Sequence, residues 1–516
     1  MPAVRPNFLI FMLDQLAPQF LPIYGHNVVR TPALSAFAED AVVFDAAYCN
    51  YPLCAPARYS FMAGRLPTKI GAWDNAAEFM AEIPTFAHHL TALGYDTTLS
   101  GKMHFCGPDQ LHGFHRRLTT DVYPSDFTWV PNWDQPEARL DWFHNMDVVR
   151  QAGVCTRSAY LDFDDEVVFH AKRHLFELAR NSNPQPFCLV VSLISPHDPY
   201  LARPEHWARY CHSDIDMPKL GLADVESDPH SRRIINSIGM LEPEPSPEQI
   251  RNARHAYYSS LSYIDDCFAA LMCALTESGL HDQTITIVTS DHGDMLGERG
   301  LWFKMAWFDN AARVPLIVHA PGRFPPRRVP EAVSHVDLLP TLLDLADEGH
   351  DFDGPIVTDG RSLVPHLTGL PGHDEVVGEY LGECTSAPAI MIRRGSFKFI
   401  HCPTDPDQLY DLAADPLERT NLAHRSENAE RVSGLRAEIG KSWNLADIQH
   451  SVVASQRRRR YLNRILRQQN VSWDHQPVAD AKHLYIRNKV PIFELEQRAR
   501  FPAWKKPNET SDPRRA

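Results

Sequence analysis

The sequence has no long apolar run. Its apolar N-terminal stretch, Asn7-Phe8-Leu9-Ile10-Phe11-Met12-Leu13, stops at Asp14 and is too short to span a bilayer. No signal-peptide cleavage site follows it, so it reads as a strand and not as a secretory leader. No C-x-x-C pair occurs among the ten scattered cysteines, which argues against a disulfide framework and a zinc knuckle. Free thiols suit a reducing compartment, and the expected address is the cytoplasm. There is no basic excess. The net charge is −14, which gives a nucleic-acid role no electrostatic support. Arg457 to Arg460 therefore reads as a solvated helix face or as intersubunit ion pairs. No internal repeat is visible, and Asp162, Asp164 and Asp165 do not follow the EF-hand loop pattern. What is present is 516 residues with an ordinary 44% apolar share, enough for a large core and more than one domain.

Hydrophobic patterning predicts alternating strands and helices. Continuous apolar runs at Phe8–Leu13, Phe187–Ile194 and Thr284–Thr289 read as strands covered on both faces, with shorter strands at Val42–Phe44, Asp96–Leu99 and Pro315–Val318. Helices are expected at Ala33–Ala41, with Thr31 as its cap, and at Thr85–Leu93, Asp165–Arg180, Pro247–Ser278 and Val336–Ala346. The aromatic, Pro-rich stretch from Leu111 to Val154 reads as a loop insertion over the site, and Leu201–Pro247 reads as loop-rich. Strands at Ala389–Arg393 and Ser396–His401, turned by Arg394-Gly395, announce a small separate sheet. The fold class is α/β: a large mixed, mostly parallel sheet sandwiched by helices, with a smaller C-terminal α+β domain and an extended tail. The expected divisions are 1–370, 371–445 and 446–516, with the insertion at about 111–154.

Chemistry-bearing residues repeat at the carboxyl ends of these strands, where open α/β sheets bind ligands. Asp14-Gln15, Lys102 and His104, His197, and Asp291-His292 each follow a strand, and Lys304 comes shortly after. Cys54-Ala55-Pro56-Ala57-Arg58 opens a helix that Gly64 ends. Helix-start N–H groups and Arg58 favour an oxyanion beside Cys54. Oxygen ligands with one imidazole suit a hard or borderline divalent cation. Asp14, Asp291 and His292 are the candidate ligands, with Gln15 as a fourth and residue 54 facing the ion. Ca²⁺ is the first choice, with Mn²⁺ or Mg²⁺ as alternatives. A thiolate at position 54 would suit so hard an ion poorly, and an oxygen nucleophile suits it better.

Cys54-x-Pro56-x-Arg58 with Gly64-Arg65 resembles the signature of the type I sulfatases of the alkaline phosphatase superfamily. Lys102-Met103-His104, Asp291-His292-Gly293-Asp294 and Leu409-Tyr410-Asp411-Leu412 extend the likeness. Pro52 to Pro56, Asp74 to Phe79, Gly101 to Phe105, Gly107 to Phe114 and Trp473 to Pro477 make the chain most similar to the choline-sulfatases. The resemblance implies that Cys54 is oxidised to formylglycine by a formylglycine-generating system, and that the hydrate attacks the sulfur of a small sulfate ester. It gives Arg58 and Lys102 the nucleophile and the developing charge, and His104 the role of base. His197 and Lys304 bind sulfate and stabilise the leaving oxygen, and which of them donates the proton stays open. Trp129 and Glu383 match the family's ammonium pocket, with Asn75, His144 and Asn145 nearby. One departure is that an acidic tail residue of the family falls at Phe493, beside Glu494 and Glu496. The expected activity is hydrolysis of choline O-sulfate. The alternatives are an arylsulfatase or phosphonate monoester hydrolase and, more remotely, an inactive binder of sulfated osmolytes. The basic tail is expected to wrap another subunit of a homo-oligomer, a dimer or tetramer. No nucleic-acid or membrane partner is expected.

Overall fold

The computed structural model describes residues 5–182, 184–347, 357–469, 484–502 and 504. In chain order the strands are β1 (Asn7–Leu13), β2 (Val42–Tyr48), β3 (Asp96–Gly101), β4 (Arg116–Arg117), β5 (Gly153–Val154), β6 (Phe187–Ser192) and β7 (Leu201–Ala202), then β8 (Thr284–Ser290), β9 (Leu316–His319) and β10 (Arg327–Ser334). A further four are β11 (Glu375–Tyr380), β12 (Ala389–Arg394), β13 (Phe397–His401) and β14 (Gln408–Asp411). The main sheet has the order β10-β2-β9-β8-β1-β6-β3-β4. β9 pairs antiparallel with both its neighbours, and the other pairings are parallel.

Central strand β1 shows why the sheet is sandwiched. Alternate side chains of a strand face opposite sides. Leu9, Phe11 and Leu13 join one core with Val167 and Phe268 of helices Ala159–Ala179 and Pro247–Glu277. Phe8, Ile10 and Met12 join a second core with Phe61, Leu90 and Leu342, from helices Cys54–Ala63, Phe86–Ala92 and Leu338–Asp347. β11 to β14 form an antiparallel sheet. Ile390, Ile392, Phe399 and Leu409 on it pack against Val432 and Ile439 of helix Ala429–Ser442.

Several elements differ from the sequence reading. Thr31 precedes helix Pro32–Glu39, but its side chain makes no cap bond. Asp265, distant in the chain, accepts the Ala33 and Leu34 N–H groups at 3.0 and 2.8 Å. β10 escapes the patterning because Pro330 interrupts it. Its register shifts between Val329 and Ala332, and it lies at the sheet edge, where proline is tolerated. Within the stretch expected to be loop-rich, Asp228 caps a helix at Pro229–Ile238. The 111–154 insertion supplies edge strand β4 and buries Val122, Tyr123, Phe143 and Met146 in the first core.

The basic tail packs on its own chain. Helix Leu445–Gln469 buries Val452, and Arg459 reaches Asp74. Arg457 and Arg460 pair with Asp134, so these are exposed intrachain contacts. The Trp473–Pro477 stretch lies outside the described residues. No helix among the described residues is long and apolar enough to cross a membrane.

Candidate active site

Cys54 is the first residue of helix Cys54–Ala63, with Pro56 in its first turn. Asn75 Oδ1 accepts the Ala55 N–H at 2.9 Å, satisfying a donor the helix leaves open. At the far end Gly64 adopts φ 62°. A Cβ there would lie 2.8 Å from Leu339 Cβ, so only glycine fits this turn. The helix is buried throughout, which sets Cys54 at the floor of a cleft and not on the surface.

β1 and β8 run side by side and deliver Asp14 and Asp291 to the same edge of the sheet. Arg58 spans them, with Nη2 2.9 Å from Asp14 Oδ2 and Nε 2.8 Å from Asp291 Oδ2. Lys102 also pairs with Asp14 Oδ2. Both Oδ2 atoms are therefore engaged by cations. Asp14, Asp291, His292 and Cys54 each offer a ligand atom within 4.8 Å of the others. His292 Nδ1 lies 3.0 Å from the Gly293 carbonyl. A carbonyl only accepts, so Nδ1 carries the proton and the Nε2 lone pair faces Cys54 Sγ at 3.2 Å.

Burial and the neighbouring Asp14 push Asp291 up to about 7, against Arg58 and Lys102. Burial also opposes ionisation of Asp14, but Lys102, His197 and Arg58 together hold its carboxyl well below the usual range. Two fully buried carboxylates and an imidazole lone pair converging on one point are a donor set that fits a divalent cation. Asp14, Asp291 and His292 would hold it. Gln15 lies beside this set. Its backbone N–H donates to Asp291 Oδ1, its amide oxygen accepts from Lys304 at 2.6 Å, and its amide nitrogen donates to Asp294 at 2.7 Å. Burial, with Asp14, pushes the Cys54 thiol up to about 12, so the unmodified side chain is a poor nucleophile.

Three more expected residues, His104, His197 and Lys304, converge here. Asp121 accepts the Met103 and His104 N–H groups at 3.1 and 2.8 Å and so holds the loop after β3. His104 has φ 59° and two buried ring nitrogens without a hydrogen-bond partner among the described residues. Burial and Lys102 keep its imidazole neutral. His197 Nε2 lies 2.7 Å from Lys304 Nζ. Burial and Lys304 depress His197 to about 3. Burial works against the charge on Lys304, but Cys54, Asp198 and Asp14 outweigh it and hold the ammonium.

Above this floor, Cys54, Asn75, Trp129, His144, His197, Lys304 and Glu383 share one cavity with Tyr123, Trp142, Phe143, Asp198, Ile492 and Phe493. Trp129 and Trp142 stack with centroids 6.3 Å apart. His144 stacks on Phe303 at 4.3 Å and lies 3.3 Å from Asp198 Oδ2. Glu383 is buried, neither carboxylate oxygen has a hydrogen-bond partner among the described residues, and burial with Asp74 pushes it up to about 8. Asn145 is not in this lining. Its side chain accepts the Asp147 N–H at 2.8 Å and starts the next turn. Phe493 does line the cavity, while Glu494 pairs with Arg498 on its own helix and Glu496 is buried beside an adjoining cavity.

The sequence reading missed Tyr123, Trp142, Asp198 and Asp294. Asp198 and Asp294 each follow a named histidine closely, so their position after a strand was an available signal. Tyr123 and Trp142 carried none, because they sit in an aperiodic insertion.

A mostly parallel sheet between helical layers, with carboxylates, imidazoles and ammonium groups gathered at its carboxyl edge, defines the alkaline phosphatase-like fold class. Within that class the chain belongs to the sulfatase family, whose description matches residues 6–348; it is a sulfuric ester hydrolase. Two further family descriptions match its C-terminal parts: "N-sulphoglucosamine sulphohydrolase, C-terminal" at 297–444 and "Choline sulfatase enzyme C terminal" at 450–501. The choline-sulfatase of Rhizobium meliloti (strain 1021) is 43% identical over 507 residues, covering 96% of this chain and 99% of that protein. An arylsulfatase of Clostridium perfringens is 27% identical, covering 84% of this chain and 93% of that protein. In fold the chain is similar to a phosphonate monoester hydrolase from Silicibacter pomeroyi (TM-score 0.67, 23% identity, 85% of this chain and 95% of that one).

Proposed function

We propose that this sulfatase hydrolyses choline O-sulfate to choline and sulfate. Glu383 carries the reading. It is a buried carboxyl group with both oxygens unpartnered among the described residues, sharing an aromatic-lined cavity with Cys54. A quaternary ammonium has no N–H donors, so ring faces and a carboxylate must hold it, each ring contributing about 0.5–2 kcal/mol. Trp129, Trp142 and Tyr123 supply the rings and Asn75 and His144 the flanks. The likeness to the Rhizobium meliloti choline-sulfatase supports the same substrate.

Once Cys54 is converted to formylglycine by a generating system, residue 54 supplies an oxygen nucleophile, its hydrate oxygen standing where Sγ stands here. Asp14, Asp291 and His292 would hold a divalent ion, Ca²⁺ first and Mn²⁺ or Mg²⁺ next, which would supply Lewis-acid polarisation of the ester oxygens. Arg58 holds Asp14 and Asp291 in place and favours their ionised forms. Lys102 neutralises charge that develops on sulfate. His104, neutral and with ring nitrogens unpartnered among the described residues, takes the proton of the second hydroxyl of residue 54 as the C–O bond to sulfate breaks, which re-forms the aldehyde and releases sulfate. Lys304 gives a proton to the departing alcohol oxygen, and His197 orients it.

The chain divides functionally near residues 370 and 445. The ten free thiols support a cytoplasmic setting, and the exposed Tyr461, Leu462 and Ile465 on the tail helix support a homo-oligomer. One observation favours the second reading, an arylsulfatase or phosphonate monoester hydrolase. Phe493, an apolar ring, lines the cavity where an acidic side chain would assist a cation. Turnover of choline sulfate against 4-nitrophenyl sulfate and phenyl phosphonate decides. A kcat/KM for choline sulfate at least tenfold above the aryl esters is expected, and the reverse order would sink the choline reading.

A further inference from the structure

Tyr123, in the insertion, touches the surroundings of both lysines. The Lys102 ammonium lies over its ring, 4.0 Å from the centroid. Its hydroxyl is 3.1 Å from His197 Nε2, and Tyr160 donates to that hydroxyl at 3.2 Å. Both phenols are buried. The directions of these bonds can be worked out. His197 Nδ1 lies 2.6 Å from the Asp198 main-chain carbonyl, which only accepts, so Nδ1 holds the imidazole proton. Nε2 then offers one lone pair, and it faces two donors, Lys304 Nζ at 2.7 Å and the Tyr123 hydroxyl. Tyr160 fills an acceptor position on the Tyr123 oxygen and leaves the Tyr123 proton for His197.

We propose that Tyr123 is a positioning residue for the leaving-group side of the reaction, its hydroxyl fixing the His197 ring and tautomer against which Lys304 is held. As the residue 54 oxygen bonds to sulfur and the S–O bond to the alcohol breaks, the alcohol oxygen keeps the bonding electron pair and takes a proton from Lys304 Nζ. Lys304 becomes a neutral amine that no longer needs the His197 lone pair. Tyr123 keeps its own proton and goes on donating to Nε2, so His197 neither turns nor takes the proton meant for the alcohol. The ring serves Lys102 independently of the hydroxyl. Phenylalanine at 123 separates the two roles, since it keeps the face and removes the donor. The assignment of the leaving-group side rests on the function proposed above. The dependence on leaving-group basicity does not require that choline be the alcohol.

The test uses converted, metal-loaded enzyme and a series of aryl sulfates of graded leaving-group basicity, with choline sulfate added. For Tyr123→Phe, the loss in kcat should grow with basicity: less than about twofold for 4-nitrophenyl sulfate and roughly tenfold for the most basic phenol and for choline sulfate, with KM within about twofold. Tyr160→Phe should show the same trend, more weakly. Tyr123→Leu should also lose activity on 4-nitrophenyl sulfate, because Lys102 loses its ring. A uniform loss across the series, or none, would overturn the proposal. Failure of wild-type enzyme on choline sulfate would instead overturn the substrate reading, and the aryl series would still decide the role of Tyr123. A second readout needs no turnover. Histidine-selective ¹⁵N spectra of Cys54→Ser protein should show His197 protonated on Nδ1, with its Nε2 shift moved by Tyr123→Phe. An unmoved shift would also count against the hydroxyl.

Discussion

Arg459 and Asp74 meet in a two-pronged buried ion pair, with Nη1 and Nη2 2.6 and 2.7 Å from the two carboxylate oxygens across 385 residues of chain. Asp74 precedes Asn75, which caps the Cys54 helix, and its charge is felt by Glu383. Arg459→Ala leaves a buried carboxylate unpaired. A loss of about 3–5 kcal/mol is expected, read by chemical denaturation, with Arg459→Lys recovering only part of it because the two-pronged geometry is gone. Unchanged stability would mean that the pair is not formed in solution.

Conversion of Cys54 is readable directly. The mass of the peptide spanning residue 54 should be that of the aldehyde in protein from a host with a generating system. Cys54→Ala should lower turnover by at least about 10³-fold. Residual activity near wild type would remove residue 54 from the role of nucleophile.

Removing the metal should cost both activity and stability. Without a cation, Asp14, Asp291 and His292 face one another in a buried cleft. At a metal concentration about 1,000 times its Kd the bound ion adds roughly 4 kcal/mol to stability. Chelation should lower the unfolding temperature, and Ca²⁺ or Mn²⁺ should restore it. A melting curve indifferent to chelator and metal would rule out the assigned ligand set.

Glu383 predicts a pH dependence of substrate binding. Burial and Asp74 push it up to about 8 in the free enzyme, so below that pH its neutral form prevails. A cationic substrate favours the carboxylate, and binding then expels a proton. KM for choline sulfate should therefore fall as pH rises towards and through about 8. Glu383→Gln should raise KM about tenfold or more, for a lost contact worth roughly 1.5–3 kcal/mol, and flatten this part of the profile. An unaltered KM with Gln would take Glu383 out of the cation site.

Asp265 replaces the expected cap of helix Pro32–Glu39 by accepting the Ala33 and Leu34 N–H groups. Asp265→Ala should cost about 1–2 kcal/mol, and Thr31→Ala much less. The opposite ranking in denaturation experiments would restore Thr31 as the cap.

How far the sequence could be read follows from how local each signal is. Buried strands β1, β6 and β8 declare themselves by continuous apolar runs, and the residue after each is legible as an edge residue. β10 was missed because Pro330 and two arginines disguise an edge strand. Tyr123 was missed because an aperiodic insertion gives no face to read. Asn145 falls outside the cavity lining, because the turn after His144 points its side chain at the Asp147 N–H.

The order of residues along the chain determined that Asp14, Cys54, Lys102, Asp291 and His292 would sit at strand ends or a helix start, because secondary structure answers to nearest neighbours and to the spacing of apolar side chains. Tertiary structure alone decided which oxygen of each aspartate meets Arg58, which nitrogen of His197 is left for Lys304 and Tyr123, and that the tail helix reaches back to Asp74. Those contacts join positions tens to hundreds of residues apart. They are set by the packing of whole layers, for which no short stretch of sequence carries the information.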